Sequence, residues 1–289
     1  MWQLPVCLVG VSALACVLTT RAKCLEPGHV VTRELALARQ NLSRADGDAE
    51  AAAEAAQYAL DHGASNLHRE GEANFLLGTA RMRLAEKAVG EAARTYWTAS
   101  RRALEEADRL GVSKEDEPRL HYRLGKVGFH TGLDVKRVVD LLAANADKAE
   151  DRAEAFDLLA QAYLRLPQPD YQKALDANTR LREVSLLRDD LLAQAKLRSG
   201  ELKIKLGRMD EARKDLELIG PQAPAKILSK ARVLRAKSYH DESKWAEASA
   251  LWQAALADSR QPLPDRATVL YHLGVAERHL DHVDEAIHA

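Results

Sequence analysis

Residues 200–224 read GELKIKLGRMDEARKDLELIGPQAP, and the pattern they carry recurs through the second half of the chain. Gly200 is a small residue on one helix, Gly207 marks a turn, Met209 leads into Ala212 on a second helix, and Leu216 and Pro224 complete the unit. Sliding this template along the chain places Ala160, Gly200, Ala236 and Gly274 in one column, at intervals of 40, 36 and 38 residues. Tyr171/Ala174, Met209/Ala212, Trp245/Ala248 and Val283/Ala286 form a second column, at intervals of 38, 36 and 38. Two independent columns sharing one period predict an array of helix pairs. Small residues let two helix axes approach closely, and bulky side chains fill the space on either side.

A two-helix repeat of this spacing resembles the tetratricopeptide repeat family, whose unit is about 34 residues long. The closest match runs from Ala236 to Ala255, where Ala236, Tyr239, Ala248, Trp252 and Ala255 fall in the family's small, aromatic, small, bulky and small positions. Ser199 and Lys203 depart from it, standing where the family has leucine and tyrosine, and the longer intervals read as lengthened loops. The match is clear over residues 153–289 and looser from Glu34 to Ala144, where Leu77-Gly78 and Leu124-Gly125 carry the first-helix signature and Ala93 with Trp97 the second-helix one. The resemblance implies an all-α fold, a right-handed solenoid of antiparallel helix pairs over residues 30–289. Its packing positions are Gly78, Gly125, Ala160 and Gly200 with Ala174 and Ala212. Further along they are Ala236, Ala248 and Trp252, then Gly274 and Ala286 in an incomplete last repeat.

Composition agrees with a helical chain. Of 289 residues 46% are hydrophobic but only 5% aromatic, and Ala, Leu, Arg and Glu dominate. Lys and Arg number 42 against 43 for Asp and Glu, a formal charge of −1, so no global attraction to nucleic acid or to an acidic membrane is expected. A solenoid of this length reads as one elongated domain with a core continuous between neighbours.

The first 24 residues form a separate segment. Trp2 to Thr20 carries no charge, and Arg21 and Lys23 follow. This is the pattern of a signal peptide or membrane anchor. Ala13-Leu14-Ala15 suits a signal peptidase, while Cys16 resembles the acceptor of a bacterial lipoprotein, although Ala13 stands where a leucine is usual. Cleavage or lipidation would place the repeats outside the cytoplasm, in a bacterial envelope by the Arg, Ala and Leu bias. Retention would keep them inside, by the positive-inside rule. Cys7, Cys16 and Cys24 are the chain's three cysteines, so the repeats hold no disulfide, cysteine-ligated zinc or cysteine nucleophile.

Downstream, helices are expected over Val31–Leu42, Asp48–Asp61, Glu72–Ala85 and Glu91–Leu110, with an acidic cap near Asp46 or Asp48. Pro118 suits the first turn of the next helix, whose partner has Arg137 where a small residue is expected. Pro167 and Pro169, Pro221 and Pro224, and Pro262 and Pro264 each end a helix where the period demands it. The last first-helix, Thr268 to Leu280, is left with only the start of a partner, which predicts a continuing chain or an open end that pairs with another molecule.

In the family, ligands lie in a groove lined by the first helices. Arg119, Arg123, Lys126 and His130 recur at steps of 4, 3 and 4 on one such helix, and Arg198 and Lys205, then Lys230 and Lys237, recur seven apart on later ones. A basic column of this kind would attract an acidic peptide or chain terminus; its bland counterpart is a solvated face paired with nearby Glu and Asp. The family's lysine and asparagine clamp for a terminal carboxylate is missing, its places being held by Phe75/Thr79, Tyr122/Lys126, Asp157/Gln161, Leu197/Glu201 and Val233/Lys237. His272, His279 and His282 with Asp281 and Asp284 read as helix-end and loop residues rather than a metal site. No phosphate loop, dinucleotide fingerprint, HExxH or GxSxG motif occurs, so no cofactor is expected. The expectation is a non-enzymatic scaffold for a peptide or protein, with self-assembly through the open end, or an adaptor role in a larger enzyme or sensor, as the alternatives.

Overall fold

The computed structural model describes residues 27–44, 46–63, 67–257 and 266–288. The leader with Cys16 and the Pro262/Pro264 break lie outside the described residues. Among those residues the chain is all-α, a succession of antiparallel helix pairs, in two compact units that divide between Leu141 and Leu142.

Unit 1 contains α1 (Pro27–Ser43), α2 (Ala49–Asp61), α3 (Leu67–Lys87), α4 (Gly90–Leu110) and α5 (Glu117–Thr131), and the unit boundary falls within α6 (Val135–Asn145). Asp48 caps α2, its carboxylate accepting from the amides of Glu50 and Ala51 at 2.9 and 3.0 Å. Ala52, Ala56 and Ala59, at i, i+4 and i+7, then form a fully buried face. Pro118 sits in the first turn of α5, where its missing amide hydrogen costs no bond.

The α3–α4 hairpin corrects the expected register. Both helices are 21 residues long and the link is only Ala88-Val89, so residues equidistant from that link oppose one another. Gly78 therefore meets Ser100 and Leu104 rather than Ala93 and Trp97. A Cβ on Gly78 would lie 2.7 Å from the Leu104 side chain, and the Ser100 hydroxyl donates to the Gly78 carbonyl at 2.7 Å. Between α5 and α6 the close approach is at Gly128, whose added Cβ would lie 2.8 Å from Leu133 and 3.2 Å from Val138; Gly125 is buried one turn earlier. Arg137 points outward, 3.6 Å from Asp108, so no small residue is needed there.

Unit 2 contains α7 (Arg152–Arg165), α8 (Tyr171–Arg182), α9 (Asp189–Lys205), α10 (Met209–Glu217), α11 (Ala225–Asp241), α12 (Trp245–Ala257), α13 (Arg266–His279) and α14 (Val283–His288). Ala160, Ala174, Ala212, Ala236 and Ala248 are wholly buried and Trp252 nearly so. A Cβ on Gly200 would come within 2.6 Å of Leu216. The period also appears in the backbone. Gly207, Ser243 and Asp281 all have positive φ, and the amide after each bonds back to Lys203, Tyr239 and Glu277 respectively, at 2.8, 2.9 and 3.0 Å. Each is a left-handed helix stop that satisfies carbonyls of the last turn and reverses the chain into the next helix. Gly274 and Ala286, in contrast, are only half buried and line an open apolar cavity of about 440 Å³ with Tyr271, Val283 and Ile287.

Candidate functional site

Most of the predicted basic residues are neutralised by the chain itself. On α5, Lys126 is buried and pairs with Glu86 of α3 at 2.6 Å, while Arg119 lies 3.6 Å from Asp116. Arg123 is buried too, donating to the Thr79 hydroxyl at 2.8 Å, with its guanidinium 4.9 Å from the centre of the Phe75 ring. His130 stacks on Trp97 at 4.4 Å. In unit 2, Arg198 of α9 pairs with Asp157 of α7 at 2.7 Å, and Lys230 of α11 pairs with Glu201 of α9. Three of these pairs share a direction, an acid on one first helix holding a base on the next. Lys205 and Lys237 are different: both are exposed, and neither makes an ion pair among the described residues.

The two departures from the family pattern turn out to be one feature. The Ser199 hydroxyl, 1% exposed as a residue, donates to Asp215 at 2.5 Å, the Lys203 ammonium lies 2.7 Å from the same carboxylate, and Arg182 approaches its other oxygen at 3.3 Å. Burial alone would raise the Asp215 carboxyl, but the bonds from Lys203 and Ser199 and the charge of Arg182 outweigh it and hold the group below its ordinary range. A polar network thus fills the space that leucine and tyrosine would occupy. Related networks recur at the neighbouring junctions. Buried Arg213 lies over the Tyr239 ring at 4.3 Å and pairs with Glu242 at 2.8 Å, and buried Glu277 accepts from Ser249, from Gln253 at 2.9 Å, and faces His282 at 2.7 Å. At Glu277 burial again pushes the carboxyl up, and bonds from Ser249, His282 and Gln253 bring it below the usual value.

A third arrangement was not foreseen. His240 of α11 and His272 of α13 meet edge to face, ring centres 4.8 Å apart. Trp245 lies edge-on to His240 at 4.9 Å and stacks on His279 at 4.1 Å, and Trp252 stacks on His272 at 5.5 Å. The Nδ1 atoms of His240 and His272 are buried without a hydrogen-bond partner. The sequence signal available was a Tyr-His pair recurring on neighbouring first helices, Tyr239-His240 and Tyr271-His272. His279 and His282 of the earlier grouping part company, one going to Trp245 and the other to Glu277. Among the described residues no group of three or more His, Cys, Asp or Glu side chains is placed to hold a metal ion, and no helix is long and apolar enough to cross a membrane.

No protein-family model and no curated protein matches the sequence. Similar solved structures include MamA MSR-1 C2, at 19% identity and a TM-score of 0.47, covering 61% of this chain and 90% of that one. The apo form of the quorum sensor NprR from B. thuringiensis aligns at 15% identity and a TM-score of 0.45, covering 96% and 90%. A thermophilic TPR protein of Thermus thermophilus aligns at 18% and 0.41, covering 68% and 98%.

Proposed function

We propose that the chain is a non-enzymatic interaction scaffold that holds a peptide or protein segment against the first helices of its repeats, and that the segment is acidic where it meets α9 and α11. The observation that carries this reading is the pair Lys205 and Lys237. The other predicted cations of unit 2, Arg198 and Lys230, are tied to carboxylates, whereas these two ammonium groups are exposed on successive first helices with no ion pair among the described residues. They lie one turn apart in repeat register, counted from the left-handed stops at Gly207 and Ser243. Helix packing fixes the backbone beneath them before any ligand arrives, so binding orders mainly the partner.

The test uses the full chain and a randomised short-peptide library. Selected peptides should be rich in Asp and Glu, and each of Lys205→Glu and Lys237→Glu should weaken them by about tenfold or more, the value of one charge-assisted bond. Apolar or basic winners, or undiminished binding to the double variant, would refute the reading. Arg123 and Lys126 are unsuitable for the same test, because reversing their buried charges would damage unit 1 itself.

A second reading, self-association, is favoured by Tyr271, Val283 and Ile287, three exposed apolar side chains around one cavity. Ile287→Glu should then abolish any concentration-dependent mass in sedimentation. The leader carries a separate proposal, attachment to or export across a membrane, with lipid on Cys16 as its bacterial form. Intact mass of the protein from its host's membrane fraction distinguishes a lipid-modified Cys16 start from a retained Met1.

A further inference from the structure

We propose that the His240–His272 contact is a pH-sensitive fastening between α11 and α13: with both imidazoles neutral the helices stay packed, and protonation in the mildly acidic range parts them and frees the α13–α14 hairpin. This goes beyond the scaffold reading and does not depend on it.

The geometry supplies the mechanism. Two imidazoles in edge-to-face contact at 4.8 Å pack well only while at least one is neutral, since two cations at that distance repel. Trp245 meets His240 edge to face and Trp252 stacks on His272, so indole rings stand where water would otherwise hydrate a cation. Neither buried Nδ1 has an acceptor that would welcome a proton. The charged groups facing the pair make matters worse on balance. Lys237, from α11, opposes protonation of both rings, and His279, from α13, opposes that of His240; Asp241 favours it, and α12 contributes two tryptophans. Burial first, and then these charges, lowers both imidazoles below the ordinary histidine value.

The unfolded chain binds these protons more readily than the folded one, so the contact's full stabilisation is present above the ordinary value of about 6.5 and is lost as pH falls through the lowered folded values. The effect is confined to what the two rings join. The α13 helix carries Val269 and Leu273 into the apolar cluster with Ala236, Ala248 and Trp252, and its loss would expose that cluster. The left-handed stop at Gly207 and the Asp215 network at α8–α10 contain no histidine and would stay in place.

The experiment follows histidine ring protons and backbone amides of the full chain by NMR between about pH 7.5 and pH 5.5, the range in which imidazoles titrate. His240 and His272 should titrate below about 6.5, and each unit of depression should open the α13 amides relative to those of α9 by about fivefold at the acidic end, towards a limit of about tenfold, after correction for intrinsic exchange. His272→Asn, which cannot charge, should keep α13 protected at the acidic end. Titration of either ring at or above the ordinary value, or α13 and α9 amides that respond alike, would overturn the proposal. Should His272→Asn fail to fold near pH 7.5, the wild-type titration and exchange decide alone.

Discussion

The two units are built from the same helix pairs but hold together differently. In unit 1 an apolar cluster runs from Val31 and Leu35 of α1, through the alanine face of α2 and Leu76 of α3, to Leu104, Leu124 and Val127. The unit buries charges too, Arg123 and Lys126 among them, yet these leave the cluster unbroken. Unit 2 has separate clusters, around Leu175 and Leu202, around Leu197, Leu216 and Ile227, and around Ala236, Trp252 and Val269. Polar networks centred on Asp215, Arg213 and Glu277 are buried at its helix junctions. A repeat array is stabilised by each unit and each interface in turn. Unit 1 should therefore open as one block and unit 2 in pieces.

The largest effects test this directly. Leu104→Ala and Trp252→Ala should each cost about 3 to 5 kcal/mol, from lost burial plus the cavity left behind. The comparison is sharpened by where the loss appears in regional hydrogen exchange. Leu104→Ala should raise exchange throughout α1 to α5, whereas Trp252→Ala should raise it in α11 to α13 and spare α7 and α8. Uniform loss across unit 2 would break the distinction.

Next comes the Asp215 network. Asp215→Asn removes the carboxylate that Lys203 and Arg182 share, leaving Lys203 only the more distant Glu211 at 3.6 Å, and should cost about 3 kcal/mol. Because the folded carboxyl sits below its ordinary value, its contribution is complete above about pH 4 and lost as pH falls through the folded value, so the variant should also flatten the acid limb of a urea-midpoint profile. Replacing the network as a whole, with Ser199→Leu, Lys203→Tyr, Asp215→Leu and Arg182→Met, should return stability to within about 1 kcal/mol of wild type or better. That variant would also join two clusters and make unit 2 open more like unit 1.

Smaller effects probe the crossings that both units share. Gly78→Ala and Gly200→Ala each drive a methyl group into a leucine, Leu104 or Leu216, and should cost about 1 to 3 kcal/mol in the unit that carries them. Ser243→Gly and Asp281→Gly should do the opposite. Each removes a side chain from a left-handed position and should gain up to about 1 kcal/mol in thermal unfolding, the relief of backbone strain less the entropy that glycine loses.

Much of unit 2 was legible because its signals are local and repeated. Small residues every 36 to 40 positions, proline breaks and Gly207 mark helix pairs without reference to distant partners. Unit 1 was less legible for a physical reason. Its α3–α4 hairpin is longer than the family unit, two 21-residue helices joined by Ala88-Val89 before the left-handed Gly90, so its small residues do not meet in the register of unit 2. At Ser243 and Asp281 the left-handed backbone is imposed by the hydrogen bonds around it, not announced by residue type. The functional face was legible in part. Helical spacing lines up the cations, but the carboxylates that neutralise them are a repeat away, as with Asp157 and Arg198 or Glu86 and Lys126. Spacing could not tell these from Lys205 and Lys237. The departures at Ser199 and Lys203 were visible, while their cause needed Asp215 from one helix and Arg182 from another.

The most direct test of the scaffold reading is backbone hydrogen exchange of the full chain with and without a saturating acidic peptide taken from the library selection. Protection should appear on the first helices α9 and α11 around Lys205 and Lys237, with the partner helices α10 and α12 unchanged. Protection confined to α10 and α12, or to the loops between pairs, would contradict the account and place binding on a face other than the one the unpaired lysines mark.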